Sequence, residues 1–140
     1  MYNKEKRCEV IVMYREKIEE LKKWKESKER KPLILRGARQ VGKTWLMKTF
    51  GEEYYEKYAY INFDNNPRME QLFSSDYNIE RIIQGLKIET NINIEPENTL
   101  IISDEVQETP KALSALKYFY ENANQYHIIA AGSLLRSGNT

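Results

Sequence analysis

An octapeptide, Gly37–Thr44, places the tightest constraint on how this 140-residue chain folds. It reads Gly37-Ala38-Arg39-Gln40-Val41-Gly42-Lys43-Thr44, which fits the pattern G-x-x-x-x-G-K-S/T, and it directly follows the apolar run Leu33–Leu35. Backbone N–H groups converge on a phosphate chain where a tight loop joins a strand to a helix N-terminus, and glycines allow the close approach. The pattern therefore predicts a loop that binds the phosphates of a nucleoside triphosphate.

Residue types within this loop predict separate roles. Lys43 would bridge the β- and γ-phosphates as a point charge, and the Thr44 hydroxyl would complete the ligand shell of Mg²⁺. The backbone from Gly37 to Gly42 would surround the phosphates. For Arg39 two interpretations stay open, namely a phosphate contact or a solvated side chain.

A second chemical signal is the run Thr99–Glu105, which is apolar and ends in two acids. Continuous apolar runs are typical of central parallel strands, and ligands of open α/β sheets bind beyond the carboxyl ends of such strands. Because successive strand residues point in opposite directions, the two acids should differ in task. We expect Asp104 to hold Mg²⁺ through its water shell and Glu105 to orient the water that attacks the γ-phosphate.

A further apolar run begins at His127 and leads into Gly132 and Ser133. It predicts a fourth strand whose mouth lies at the same edge of the sheet. Ser133 would either bond to the γ-phosphate or the attacking water, as a third catalytic residue, or simply form a turn. Arg136 would either be a solvated arginine or reach a neighbouring subunit's nucleotide.

The remaining patterns predict helices and strands in alternation. Residues 1–31 form one segment with an amphipathic helix over Val10–Glu29 that packs on the core, and residues 32–140 form the nucleotide-binding core. Within the core we expect a helix over Lys43–Phe50 with Gly51 as its C-terminal cap, and a strand over Tyr58–Phe63 whose tyrosines pack rather than stack on bases. The former helix would turn four side chains to the core: Trp45, Leu46, Thr49 and Phe50.

The second half of the core follows the same alternation. Helices are predicted around Met69–Phe73 and Ile79–Leu86, followed by a loop over Asn91–Asn98. Thr109 and Pro110 predict the N-cap and first turn of another helix.

Composition argues against a disulfide-stabilised fold, a Cys/His metal cluster and a membrane protein. The formal charge of +1 gives no independent support for nucleic-acid binding, although residues 22–31 carry six basic and two acidic side chains. Cys8 is the single cysteine and His127 the single histidine, so neither an internal disulfide nor a cluster of such metal ligands can form within the chain. Without a secretory signal or a membrane-spanning run, we expect a cytoplasmic protein that does not bind membranes.

These segments together resemble bacterial and archaeal AAA-type ATPases. The resemblance rests on the loop Gly37–Thr44, on Asp104-Glu105-Val106-Gln107 and on Ala131-Gly132-Ser133-Leu134-Leu135, and it covers about Met13 to Leu135. It implies ATP and Mg²⁺ as cofactors, ATP hydrolysis, and a sheet with one strand between the phosphate-loop strand and the acidic strand. Family members commonly continue into a fifth strand, a helical segment and a second, nuclease-like domain, whereas the end of this chain, from Arg136 to Thr140, is polar.

The predicted fold is therefore α/β, a three-layer P-loop NTPase with a mainly parallel sheet of about four strands between helices, lacking the fifth strand and lid. The leading functional hypothesis is Mg²⁺-dependent ATP hydrolysis by an AAA-type core. Homo-oligomers or a C-terminal partner domain are its expected partners. Two alternatives stay open: a non-catalytic nucleotide-binding or interaction module, and, less favoured, a P-loop kinase.

Overall fold

The chain divides into two compact units, Met1–Arg30 and Lys31–Thr140. The computed structural model describes residues 4–36 and 42–132, with side chains from residue 14 onward. The first unit contains helix α1, Lys4–Glu26, which begins and ends earlier than the predicted Val10–Glu29. The helix ends where Ser27 begins a turn, in which the Ser27 hydroxyl accepts a hydrogen bond from the Glu29 N–H at 3.1 Å. Packing of this segment on the core stays a prediction.

The second unit is built on one parallel sheet, as predicted. Its strands are β1 (Leu33–Leu35), β2 (Lys57–Asn62), β3 (Thr99–Asp104) and β4 (His127–Ala131), in the order β1-β4-β3-β2. Strand β4 therefore lies between the strand that precedes the phosphate loop and the strand that ends in Asp104. All four carboxyl ends meet at one edge, which is where ligands of open α/β sheets bind.

Burial along the strands follows their position in the sheet. Every residue of β3 and β4 is buried, whereas all three residues of β1 are half-buried. Strand β2 alternates, with Ala59 and Ile61 buried and Tyr58 and Tyr60 half-buried. The two central strands thus have the continuous apolar sequence that covering on both faces requires.

Helices cover both faces of the sheet. They are α2 (Lys43–Tyr54), α3 (Pro67–Ser74), α4 (Ile79–Thr90) and α5 (Pro110–Asn122), with a 3₁₀ helix at Val106–Glu108 before α5. Ala59 and Ile61 belong to the apolar core that side chains of α3, α4 and α5 complete. Helix α2 contacts β2 and β3, with Met47 and Phe50 fully buried outside that core, and therefore lies on the opposite face.

Local chemistry explains where the shorter helices begin and end. The Asn66 side chain accepts a hydrogen bond from the Met69 N–H, and Asn78 does the same for Arg81, so both are N-caps. Helix α4 ends at Asn91, which adopts the left-handed conformation. The predicted N-cap Thr109 and first-turn Pro110 are in place, but the Thr109 hydroxyl caps nothing and is buried without a partner among the described residues.

The α3–α4 pair is also joined by an ion pair. Arg68 donates to both carboxylate oxygens of Glu89, at 2.8 and 3.0 Å. The Arg68 hydrogen bonds hold the pKa of Glu89 below its usual value, and the same pairing raises the pKa of Arg68. The contact fixes the two helices that follow β2.

Two predictions for α2 are wrong. Gly51 is buried inside the helix instead of capping it, since α2 continues to Tyr54. A Cβ at residue 51 would lie 2.8 Å from the Tyr58 Cβ, so glycine here permits the close approach of α2 to β2. Trp45, expected in the core, is 58% exposed because the buried stripe of α2 runs through Met47, Phe50 and Gly51.

His127 has a structural environment, as expected. It is buried at the start of β4, and its Nδ1 is hydrogen-bonded to the Tyr55 hydroxyl at 2.6 Å. This pair lies at the amino-terminal edge of the sheet, away from Asp104. Within the described ranges, no helix is long and apolar enough to cross a membrane.

Candidate functional site

The carboxyl edge of the sheet brings two predicted segments together, the start of α2 and the end of β3. Gly42 precedes α2 with φ of 103°, a left-handed conformation that favours glycine. Lys43 and Thr44 then form the first turn of the helix. Asp104 is the last residue of β3 and is only 5% exposed.

A direct hydrogen bond joins these segments. The Thr44 hydroxyl donates to Asp104 Oδ2 at 2.6 Å, across 60 residues of sequence. Such a short bond to a carboxylate is typical of a charge-assisted O–H donor. The structure thus places the proposed ligands of the cation in contact, while their role in metal binding stays a prediction.

Asp104 accepts two further hydrogen bonds. The Tyr60 hydroxyl donates to the same Oδ2 atom at 2.8 Å, and the Glu105 N–H donates to Oδ1 at 3.0 Å. Burial, followed by the bond to Asp104, raises the pKa of Tyr60 far above its usual value, so the phenol stays protonated and donates. Three hydrogen-bond donors therefore stabilise the Asp104 carboxylate, whose burial without partners would cost folding free energy.

The Tyr60 ring is itself held from α2. The Lys48 ammonium lies 4.1 Å from the ring centroid, within the range of a cation–π contact. Thr44 and Lys48 are four residues apart and so share one face of the helix. On that face Thr44 contacts Asp104 and Lys48 contacts Tyr60, so α2 contacts both members of the Tyr60–Asp104 pair.

Lys43 has a buried ammonium nitrogen with no hydrogen-bond partner among the described residues. Leaving such a group unpaired in a folded protein is costly, because a buried charge needs compensation. An anionic ligand at the start of α2 would supply that compensation. The structure therefore fits the predicted contact of Lys43 with phosphate.

Glu105 is not part of a strand, although strand alternation predicts that it points away from Asp104. It lies beyond β3 in a left-handed conformation, with φ of 53° and ψ of 42°. A non-glycine residue in this region is uncommon and is often found at functional sites. Gln107 donates its Nε2 to Glu105 Oε1 at 2.8 Å, so the carboxylate is held by the 3₁₀ helix that follows.

Several predicted site residues lie outside the described residues. These are Gly37, Ala38, Arg39, Gln40 and Val41 of the phosphate loop, together with Ser133 and Arg136. Their predicted roles stay predictions.

The donor set fits Mg²⁺ and a nucleotide. Thr44 and Asp104 offer the hard oxygen atoms that Mg²⁺ prefers, and Lys43 offers an uncompensated cation for phosphate. No group of three His, Cys, Asp or Glu side chains within the described ranges could hold a metal alone. Protein Mg²⁺ sites commonly use one or two protein oxygens and complete the shell with water and substrate phosphates.

Tyr60 and Lys48 are the site residues that sequence reasoning missed. Tyr60 was assigned to packing because a strand rich in tyrosine is ordinary. A usable signal was the alternation of side chains along a strand. Tyr60 is two residues before Asn62 and therefore lies on the same face of β2, and Asn62 pairs with Asp104 in the sheet. To use that signal one must know the register between β2 and β3, and the residue pattern of a single strand does not determine it.

The fold and this site define a class of protein, the P-loop nucleotide-binding proteins with an additional strand between the phosphate-loop strand and the acidic strand. Within that class the chain belongs to the AAA domain family, which it matches over residues 29–139. Members of this family are typically ATPases.

Among solved structures, the chain is similar to that of C. elegans PCH-2, with a TM-score of 0.48 and 15% sequence identity. The similarity covers 100% of this chain and 40% of the PCH-2 chain, so the chain spans well under half of that protein's length. A search of curated proteins found no match.

Proposed function

We propose that this domain binds ATP together with Mg²⁺ and hydrolyses the γ-phosphate bond. The observation that carries the proposal is the 2.6 Å hydrogen bond from the Thr44 hydroxyl to Asp104, beside a lysine whose buried ammonium lacks a partner. Membership of the AAA domain family supports it. The proposal concerns this domain and not the activity of any longer protein.

Each residue has a role that follows from its position. Lys43 would bind phosphate oxygens, and Thr44 and Asp104 would hold the Mg²⁺ ion and its water. Bound Mg²⁺ neutralises the negative charge that develops on the phosphate oxygens during transfer. Ser133, which follows β4 by two residues in the sequence, would contact the γ-phosphate or the attacking water.

Glu105 would act on the water. Its carboxylate lies beside Asp104 in sequence but outside the strand, and Gln107 holds one of its oxygens at 2.8 Å. An anchored carboxylate can accept a hydrogen bond from water and keep it in line for attack. The left-handed turn is thus proposed to direct this group to the edge of the sheet.

Two substitutions test the proposal. Lys43→Ala should abolish binding of a fluorescent ATP analogue, whereas Lys111→Ala, an exposed lysine on α5, should leave it unchanged. Glu105→Gln should keep nucleotide binding and lower phosphate release by about 10²- to 10⁴-fold, the usual contribution of a positioned acid–base group. Glu121→Gln is the matched exposed control.

The outcomes separate two functions. Undiminished binding by Lys43→Ala would contradict the nucleotide site itself. If wild type binds the nucleotide, but wild type and Glu105→Gln show the same negligible phosphate release, the domain is a non-catalytic binding module instead.

A further inference from the structure

We propose that Tyr60 is a positioning residue that sets the affinity of the nucleotide site for its divalent cation, by fixing the carboxylate of Asp104. The inference rests on the proposed function and adds to it a residue on β2, a strand that carries none of the predicted site residues.

Described donors occupy three acceptor positions of the Asp104 carboxylate. A carboxylate has about four lone-pair positions, two on each oxygen. The Thr44 and Tyr60 hydroxyls both donate to Oδ2, at 2.6 and 2.8 Å, and the Glu105 N–H donates to Oδ1 at 3.0 Å. One acceptor position, on Oδ1, is left for water held by a cation.

Tyr60 differs from the other two donors to Asp104 in the element that carries it. Thr44 belongs to α2 and Glu105 to the turn after β3, so both donors lie on segments that contact the nucleotide in the proposed function. Tyr60 belongs to β2, whose register with β3 is fixed by six residue pairs from Lys57–Thr99 to Asn62–Asp104. Its hydroxyl is therefore the donor tied to the rigid sheet, and it prevents rotation of the Asp104 carboxylate.

Helix α2 supports the ring of Tyr60. This ring is held by Lys48 at 4.1 Å, one helical turn after Thr44. Partners of this kind, which orient a metal-binding carboxylate, typically change metal affinity by about 10- to 100-fold when they are removed. Because Lys48 contacts the ring and not the hydroxyl, the ring should keep its place when the hydroxyl is deleted.

The test compares Tyr60→Phe with Tyr58→Phe. Both residues lie on β2 and both substitutions delete one hydroxyl, but only the Tyr60 hydroxyl bonds to Asp104. Affinity for a fluorescent ATP analogue is measured in EDTA and across a Mg²⁺ titration. Tyr60→Phe should match wild type in EDTA and need about tenfold more Mg²⁺ for half-maximal binding, whereas Tyr58→Phe should follow wild type throughout.

Each other outcome has one meaning. If Tyr60→Phe follows wild type across the Mg²⁺ titration, or weakens binding equally with and without Mg²⁺, the inference is wrong while the proposed function stands. If wild type itself shows no Mg²⁺-dependent binding, the proposed function fails. Should Tyr60→Phe not fold, Tyr60→Met removes the same hydroxyl, and an unchanged Mg²⁺ requirement would overturn the inference.

Discussion

At the scale of single residues, two of the buried polar groups, Asp104 and His127, lie at opposite edges of the sheet. Asp104 ends β3 at the carboxyl edge, where its partners come from α2 and β2. His127 begins β4 at the amino edge, where its partner is the Tyr55 hydroxyl. Because ligands bind beyond the carboxyl ends of parallel strands, we expect Asp104 to serve the proposed nucleotide site and His127 to serve stability.

Replacing Tyr55 by phenylalanine tests this division. The substitution removes the buried hydrogen bond to His127 Nδ1, and we expect it to lower the free energy of unfolding by about 1–3 kcal/mol. Affinity for nucleotide should not change. Tyr118→Phe, at an exposed position on α5, is the control and should change stability by less than about 0.5 kcal/mol. Urea denaturation checks both, and equal stability of the two variants would contradict the assigned role.

At the scale of elements, the distance between α2 and β2 depends on one glycine. Gly51 faces Tyr58, whose side chain leaves no space for a Cβ at that position. Lys48 and Thr44, on the same helix, contact Tyr60 and Asp104. Moving the helix outward to admit a methyl group would therefore also disturb the site.

A pair of alanine substitutions tests this close approach. Gly51→Ala should lower the free energy of unfolding by about 1–3 kcal/mol, because a rigidly placed Cβ of Tyr58 cannot move aside. Gly85→Ala is the matched helical control. Its added methyl group would lie 2.4 and 2.8 Å from the two methyl carbons of Leu72 and 3.1 Å from Leu72 Cγ, in a side chain that can rotate, and the gain in helix propensity of up to about 1 kcal/mol offsets part of the crowding. Thermal or urea denaturation measures both, and a stable Gly51→Ala would refute the packing argument.

Much of this arrangement was predictable from sequence, since β1, β3 and β4 are apolar runs, β2 alternates, and each crossover helix has a periodic apolar face. What could not be predicted depends on contacts between elements. The bond from Tyr60 to Asp104 follows from the register of β2 against β3, and the burial of Gly51 follows from where α2 lies on the sheet. The conformation of Glu105 likewise arises from the turn that joins β3 to the 3₁₀ helix.

At the scale of the whole molecule, the sheet order separates neighbours in sequence. Strand β1 is followed by β2, yet the two lie at opposite edges, and each of the three pairings within the described ranges is parallel. Parallel pairing requires long crossovers, so the site is assembled from segments far apart in the chain. Strands β1 and β3 belong to one sheet only when β4 pairs with both of them.

This order has a consequence for synthesis on the ribosome. Leu33 pairs with Ile129, so β1 must wait for β4, the last strand in the described part of the chain, to emerge. A nascent chain stalled before His127 leaves the exit tunnel should be digested readily by protease and should not retain nucleotide, whereas one stalled after the whole domain has emerged should resist digestion. Early protection of the shorter chain would mean that β1 finds its place without β4.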